Sequence, residues 1–209
     1  MCSFKTVARE TESVTVIERS KFICTLKGIE DENDAKEFIE RIRKKHSLAN
    51  HNCYAYIADE RGTVQKFSDA GEPQGTAGLP MLNALKNRGL KKVCAVVTRY
   101  FGGIKLGTGG LARAYGGAVL STLDAAEIRE LFGAEFITAE LTYSQYQKLS
   151  ATRDERFSVV STEYGETVKV KLALRSDKIG SDAFERELKD LFGGDVKFER
   201  VGSGYFAFN

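Results

Sequence analysis

Apolar residues recur at every second position through the opening stretch FKTVARETESVTVIERSKFICTLKGI, around Val14, Val16, Phe22, Cys24 and Leu26. That period belongs to antiparallel strands with one face in water. It changes at DENDAKEFIERIRKKH, where Ala35, Phe38, Ile39 and Ile42 fall at helical spacing and Asp31 or Asn33 stands where a helix would start. Acidic first turns and the Arg43–His46 end suit the helix dipole. NCYAYIAD returns to alternation, with Cys53, Ala55 and Ile57 on one side and Tyr54 and Tyr56 on the other. A turn at Gly62 and a second short strand around Val64–Phe67 follow, and Ser68–Gly78 has no period, so it is expected to be a loop. LPMLNALKNRG predicts a helix with Pro80 near its first turn and Gly89 as its stop. Lys91–Thr98 predicts a strand, and its VCAVV run, the most apolar in the chain, predicts a central place in the sheet. After a Gly102–Gly107 loop, Thr108 is expected to cap a long helix with Leu111, Ala114, Tyr115, Ala118 and Val119 on its packed face, ending near Gly133.

Beyond that point the pattern reads strand (136–141), helix (145–154), strand (157–164), a YGET turn, strand (168–174), helix (182–192) and strand (196–201). This is the β-α-β-β-α-β order of a ferredoxin-like domain. The fold class expected is therefore α+β in two domains, residues 1–133 and residues 134–209, joined almost without a linker because Ala, Glu and Phe stand where Gly, Pro or Ser would be expected.

A length of 209 residues suits one medium or two small domains, and 42% apolar with 29% charged residues suits an ordinary globule. Cys2, Cys24, Cys53 and Cys94 stand singly without CxxC spacing, and no secretory signal opens the chain, so reduced thiols and a cytoplasmic location are expected. No apolar run approaches the roughly 20 residues that cross a bilayer, so no membrane partner is expected. The net charge of +2 is small, but residues 1–133 carry 20 basic against 16 acidic residues, while residues 134–209 carry 11 against 13. A polyanion site is therefore expected in the first part.

The candidate chemistry gathers in VVTRYFGGIKLGTGGLARAYGGAV, residues 96–119. It is not a phosphate-binding P-loop, which would need lysine where Thr108 stands. Its GxGxxA at Gly107, Gly109 and Ala112 lies too far beyond the preceding strand for a dinucleotide fingerprint. Gly102, Gly103, Gly109 and Gly110 nonetheless allow backbone N–H groups to face an anion, beside Arg99, Lys105 and Arg113. Gly116 and Gly117, inside the helix, suggest close packing there. DAGEPQGTAG, with Asp69, Glu72 and Thr76, either pins a loop and caps the next helix or holds a ligand such as a hydrated cation. His46 and His51 are the only histidines, so no two-histidine metal motif exists, and a His51–Cys53 nucleophile pair lacks an orienting third group.

HNCYAY at 51–56, SDAGEPQGTAGLP at 68–80 and VVTRYFGGIKLGTGGLARAY at 96–115 together closely resemble the IMPACT-like family, also called the YigZ or UPF0029 family. The resemblance covers about residues 15–130, and the remainder looks like the small domain attached in bacterial members. It implies an amino-terminal domain of the ribosomal-protein-S5 second-domain type and a carboxy-terminal domain like the small domains of translation elongation factor G. Both are associated with translation factors and RNA-binding proteins. The family's motif carries over as Asp69, Glu72, Pro73, Gly75, Thr76, Arg99, Tyr100, Phe101, Gly102, Gly103, Leu106 and Gly107, with Gly109 and Gly110 beyond. Where the family often has a second histidine or another small residue, this chain has Asn52.

The function expected is a non-enzymatic RNA- or ribosome-associated protein, with Tyr100, Phe101 and Tyr115 stacking on bases while Arg99, Lys105 and Arg113 meet phosphates. No DNA sequence readout, metal or cofactor is expected. The alternatives are a small enzyme acting on a phosphorylated metabolite or nucleotide in a cleft between loops 68–78 and 99–110, its Asp69 and Glu72 carboxylates able to hold Mg²⁺ while Arg99 and Arg113 receive phosphate, and a protein-interaction module using the open sheet of the second domain. His51, Asp69, Glu72 and Thr76 are the candidate loop ligand site.

Overall fold

A computed structural model describes residues 3–152, 154–194 and 196–208. Cys2 lies outside them. The chain divides into two compact units, Phe4–Arg129 and the segment from Glu130 onward.

In the first unit β1 (Phe4–Val7), β2 (Thr11–Ile17), β3 (Ser20–Gly28), α1 (Glu32–Lys45), β4 (His51–Ile57), β5 (Gln65–Ser68), α2 (Gly78–Asn87), β6 (Val93–Tyr100) and α3 (Gly107–Ala125) follow in order. The sheet runs β2-β3-β6-β4-β5, every neighbouring pair antiparallel. Its centre is β6, as the VCAVV run predicts, and the strand is buried on both faces. Val93, Ala95 and Val97 join Cys53, Ala55 and Ile57 of β4 in one core with α2 and α3. Cys94 and Val96 join Tyr56 and the Ala35, Phe38, Ile39 and Ile42 stripe of α1 in the other. Asp31 caps α1 by accepting from the Asn33 and Asp34 N–H groups.

The second unit follows β7 (Ile128–Leu141), α4 (Tyr143–Ala151), β8 (Phe157–Tyr164), β9 (Val168–Arg175), α5 (Ser181–Phe192) and β10 (Lys197–Phe206). Its strands pair β10-β7-β9-β8, all antiparallel. Ile137, Val170, Leu172 and Leu174 pack with Leu149 of α4 and with Phe184 and Leu188 of α5. Both units are α+β with strands and helices interspersed.

Four boundaries differ from the sequence expectations. The long helix ends at Ala125 rather than near Gly133, and Ile128–Phe132 belongs to β7. The register with β10 runs down to Phe132 opposite Phe206, so pairing with a strand some 70 residues away overrides a locally helical-looking EIRELF. The division between units consequently falls inside β7, at Arg129/Glu130 rather than after residue 133. Thr108 does not cap α3: the helix starts at Gly107, Leu106 is the cap residue, and no side chain accepts from the first turn. In α4 the start is two residues early because Thr142 and Gln145 form a reciprocal capping box.

The Gly116–Gly117 pair is not forced by packing within this unit. A Cβ at Gly116 would stand at an ordinary 3.6 Å from the Pro80 carbonyl oxygen, and one at Gly117 would meet nothing within 4 Å. Gly117→Ala is therefore expected to stabilise the unit by about 1 kcal/mol through helix propensity. A urea unfolding midpoint that does not rise would refute this.

Candidate functional site

Arg99 continues the phase of Val93, Ala95 and Val97 on β6, so its side chain enters the core side of the sheet that α2 and α3 cover. Phe22 of β3 and His51 of β4 are its register partners on either side. The guanidinium stacks between the rings of Phe22 and Phe101, 5.4 Å from each centroid. Its Nη1 donates to Glu72 Oε1 at 2.8 Å, with side-chain exposures of 6% and 4%. Its Nη2 donates to Ser20 Oγ at 3.3 Å. A buried ion pair, rather than a phosphate-facing arginine, is the outcome, because loop 69–78 delivers Glu72 to the end of β6. Arg99 thus does not point into solvent with Lys105 and Arg113.

Tyr115 is also buried rather than available for stacking. Its hydroxyl donates to the same Glu72 Oε1 at 2.7 Å, and its ring meets Phe22 edge-on. Burial, followed by the neighbouring Cys53 and Glu72, pushes its phenol well above the ordinary range. His51 Nδ1–H donates to the Ala70 carbonyl at 2.9 Å, which leaves Nε2 turned to Glu72 Oε1 at 3.9 Å, beyond hydrogen-bond reach. Cys53 Sγ–H donates to the Asp69 carbonyl, and burial pushes its thiol up to about 12. A protonated, occupied thiol is no nucleophile, and Cys24 and Cys94 are buried likewise.

Asp69 pins the loop. Its Oδ2 accepts from Gly75 N–H at 2.8 Å, and its Oδ1 accepts from Ala77 and Gly78 N–H at 3.0 and 2.8 Å, which closes the loop and satisfies the start of α2. Thr76 donates to the Pro73 carbonyl at 2.6 Å. Asp69 and Glu72 are therefore both engaged by the protein, and among the described residues no group of three His, Cys, Asp or Glu side chains is placed to hold a metal ion. No helix of the described residues is long and apolar enough to cross a membrane.

Ser20, which the sequence gives no reason to single out, holds the corner between the strands and the glycine loop. Its Oγ accepts from Gly102 N–H at 3.1 Å as well as from Arg99. Gly102 packs so closely there that a Cβ would overlap the Arg19 backbone. Gly103 and Gly107 take left-handed φ of 87° and 68°, and the turn carries the chain to the open start of α3. Asn50 Oδ1 accepts from Phe101 N–H at 2.8 Å, and His46 Nδ1 lies 3.1 Å from the hydroxyl of Tyr100.

What remains facing solvent is a different set. Phe101 is 46% exposed, and Lys105, Gly107, Thr108, Gly109 and Arg113 are exposed. The Arg113 guanidinium lies over Gly109, in the first turn of α3. Two depressions flank Lys105 and Leu106. One, of about 500 Å³, includes Ile104, Gly110 and Arg113, with Glu18 as its carboxylate. The other, of about 400 Å³, joins loop 69–78 to the glycine loop, with Pro73, Phe101, Leu106 and Leu111 as walls and Glu72 and Arg99 below them. The signal for the buried pair was present in the sequence: Arg99 is in phase with an apolar strand face. Its partner was not.

Residues 18–123 match the family model described as the Impact N-terminal domain. IMPACT family member YvyE of Bacillus subtilis is 41% identical over 93% of this chain and 90% of its own length. IMPACT family member YigZ of Escherichia coli is 36% identical over 88% and 92%. A solved structure titled as that of a hypothetical protein superposes with a TM-score of 0.65 at 33% identity, covering 96% of this chain and 98% of that one.

Proposed function

The chain belongs to the IMPACT family, and from that premise we propose that it is a cytoplasmic, non-enzymatic RNA- or ribosome-associated protein linked to translation or its regulation. Its first unit is read as the ribosomal-protein-S5 second-domain type. The second unit's β-α-β-β-α-β order and β10-β7-β9-β8 pairing support reading it as ferredoxin-like.

The observation that carries the RNA reading is the exposed start of α3. The first turn has no side-chain cap, so its N–H groups are open to an acceptor, and Lys105 and Arg113 stand beside them. Phosphate oxygens satisfy both needs, while exposed Phe101 offers a ring to an unpaired base. Arg99 is excluded from this surface by its bond to Glu72 and serves to hold Phe101 in place.

Replacing Lys105 and Arg113 together by alanine is expected to weaken binding of a labelled single-stranded RNA several-fold. It should also flatten the dependence of log affinity on log salt by about 1.4, as two lost phosphate contacts require. Both side chains are exposed, so the unfolding midpoint should stay where it is. Unaltered affinity and slope would overturn the RNA role of this surface.

A second reading, a small enzyme acting on a phosphorylated metabolite or nucleotide, is favoured by the depression that joins loop 69–78 to the glycine loop. Turnover of a phosphorylated compound that stops on filling this depression would decide for it.

A further inference from the structure

The depression of about 400 Å³ between Pro73, Phe101, Leu106 and Leu111 has features that pinning the loop does not require. Its walls are apolar, Phe101 is nearly half exposed, and the Glu72–Arg99 pair lies beneath. Arg99 is only 5% exposed, and its Nε, buried, has no hydrogen-bond partner among the described residues. A buried N–H left without an acceptor costs free energy, and a ligand oxygen or ring nitrogen reaching the floor would remove that cost. At the rim, Lys105, Gly107 and Thr108 bring a cation and the uncapped start of α3 to the same opening. The volume falls within the ~300–1,000 Å³ of small-molecule sites. The required occupant has a flat, largely apolar body carrying an acceptor on its edge, with a dianion a few ångströms away.

We infer that this depression holds a single nucleotide, its base against Phe101 and Leu106 with an edge acceptor toward Arg99 Nε, and its phosphate at Lys105 and the first turn of α3. The inference rests on the RNA reading for the source of that nucleotide, an unstacked residue of a bound strand. A free nucleoside monophosphate presents the same chemistry. The neighbouring depression, with Arg113, then takes the adjoining phosphate. Neither inorganic phosphate nor an uncharged nucleoside fills both halves of the site.

The test titrates the full chain with adenosine and uridine 5′-monophosphates, the two nucleosides and inorganic phosphate by calorimetry, following the amide resonances of Gly107, Thr108 and Gly109. At least one monophosphate should bind about tenfold more tightly than its nucleoside or phosphate alone, and should shift those amides. Thr108→Trp fills the mouth from an exposed helix position and leaves the buried pair untouched. It should weaken the monophosphate about tenfold with an unchanged unfolding midpoint, whereas Phe101→Ala should weaken the monophosphate and also lower the midpoint, because the ring packs on the Arg99 guanidinium. A short single-stranded RNA is measured in parallel on the same variants. RNA weakened by Thr108→Trp identifies the source as a strand. Monophosphate binding lost in Thr108→Trp, with no RNA binding by the wild type, supports the site with a free nucleotide as source and sinks the RNA reading alone. RNA binding that depends on Lys105 and Arg113 but is unmoved by Thr108→Trp, with no monophosphate bound, overturns the inference and leaves the RNA reading standing. Monophosphate and inorganic phosphate binding equally would also overturn it.

Discussion

Glu72→Ala is expected to lower the free energy of unfolding by about 3–5 kcal/mol, the cost of leaving a buried charge without its partner. Glu72 Oε1 receives both the Arg99 guanidinium at 2.8 Å and the Tyr115 hydroxyl at 2.7 Å, and neither donor has water as a substitute at these burials. The guanidinium is held between Phe22 and Phe101 and on Ser20, so it cannot swing out to solvent without dismantling the corner where the β2–β3 turn meets Gly102. Removing Glu72 therefore strands both Arg99 and the Tyr115 hydroxyl, while removing both members of the ion pair strands only the neutral hydroxyl. The double variant Glu72→Ala with Arg99→Met should recover part of the loss, because an apolar chain of similar length suits a site walled by two rings. Urea unfolding of the wild type, both single variants and the double variant checks this. A single-variant loss below about 1 kcal/mol, the range of an exposed pair, would show that the pair is solvated rather than buried.

Asp69→Ala is expected to cost about 2–3 kcal/mol and to loosen the whole of loop 69–78, because three backbone N–H groups lose their acceptor together. Asp69→Asn should fall between, since its one amide oxygen can still accept from Ala77 and Gly78 N–H, without the charge, while its NH2 group cannot accept from Gly75 N–H. The loss carries a pH signature. Burial raises the Asp69 carboxyl, but the bonds from Gly75, Gly78 and Ala77 outweigh it and hold the group below its usual value. A carboxyl depressed in the folded state contributes stability in full above its unfolded value, about 3.9, and loses it as pH falls through the folded value. The gap in unfolding free energy between wild type and Asp69→Asn should therefore be constant at neutral pH and shrink as pH is lowered below about 4. Taking the difference between the two proteins removes the contribution of the other carboxylates, which titrate in both. A gap that persists unchanged into strong acid would show that the charge on Asp69 is not what holds the loop.

These two carboxylates show where sequence reading succeeds and where it stops. DAGEPQGTAG admits a pinned loop and a ligand site alike, since Asp and Glu are suited to both. The pinning is visible only once Gly75, Ala77 and Gly78 are seen to converge on Asp69. Arg99 and Lys105 differ by six positions in the sequence and carry the same charge, yet one is buried on a carboxylate and the other exposed. The phase of β6 separates them, because Arg99 follows Val97 on the inner face while Lys105 lies past the strand end. The phase says that an arginine is buried, and the partner that makes burial tolerable comes from 27 residues away.

The sequence by itself determined the kinds of element in the first unit and their order, though not the end of α3, together with the central position of β6, the β-α-β-β-α-β order of the second unit, and the family. Those features are written in local periodicity and contiguous motifs, which a side chain's neighbours along the chain are enough to impose. The tertiary structure decided that the α3 helix yields to β7 at Ile128, that Glu72 and Tyr115 meet Arg99, and that Phe101, Lys105 and Arg113 remain outside. Each depends on which distant segment arrives beside a residue: a strand partner supplies hydrogen bonds that outweigh helix propensity, and a buried carboxylate turns an arginine from a binding group into a structural one.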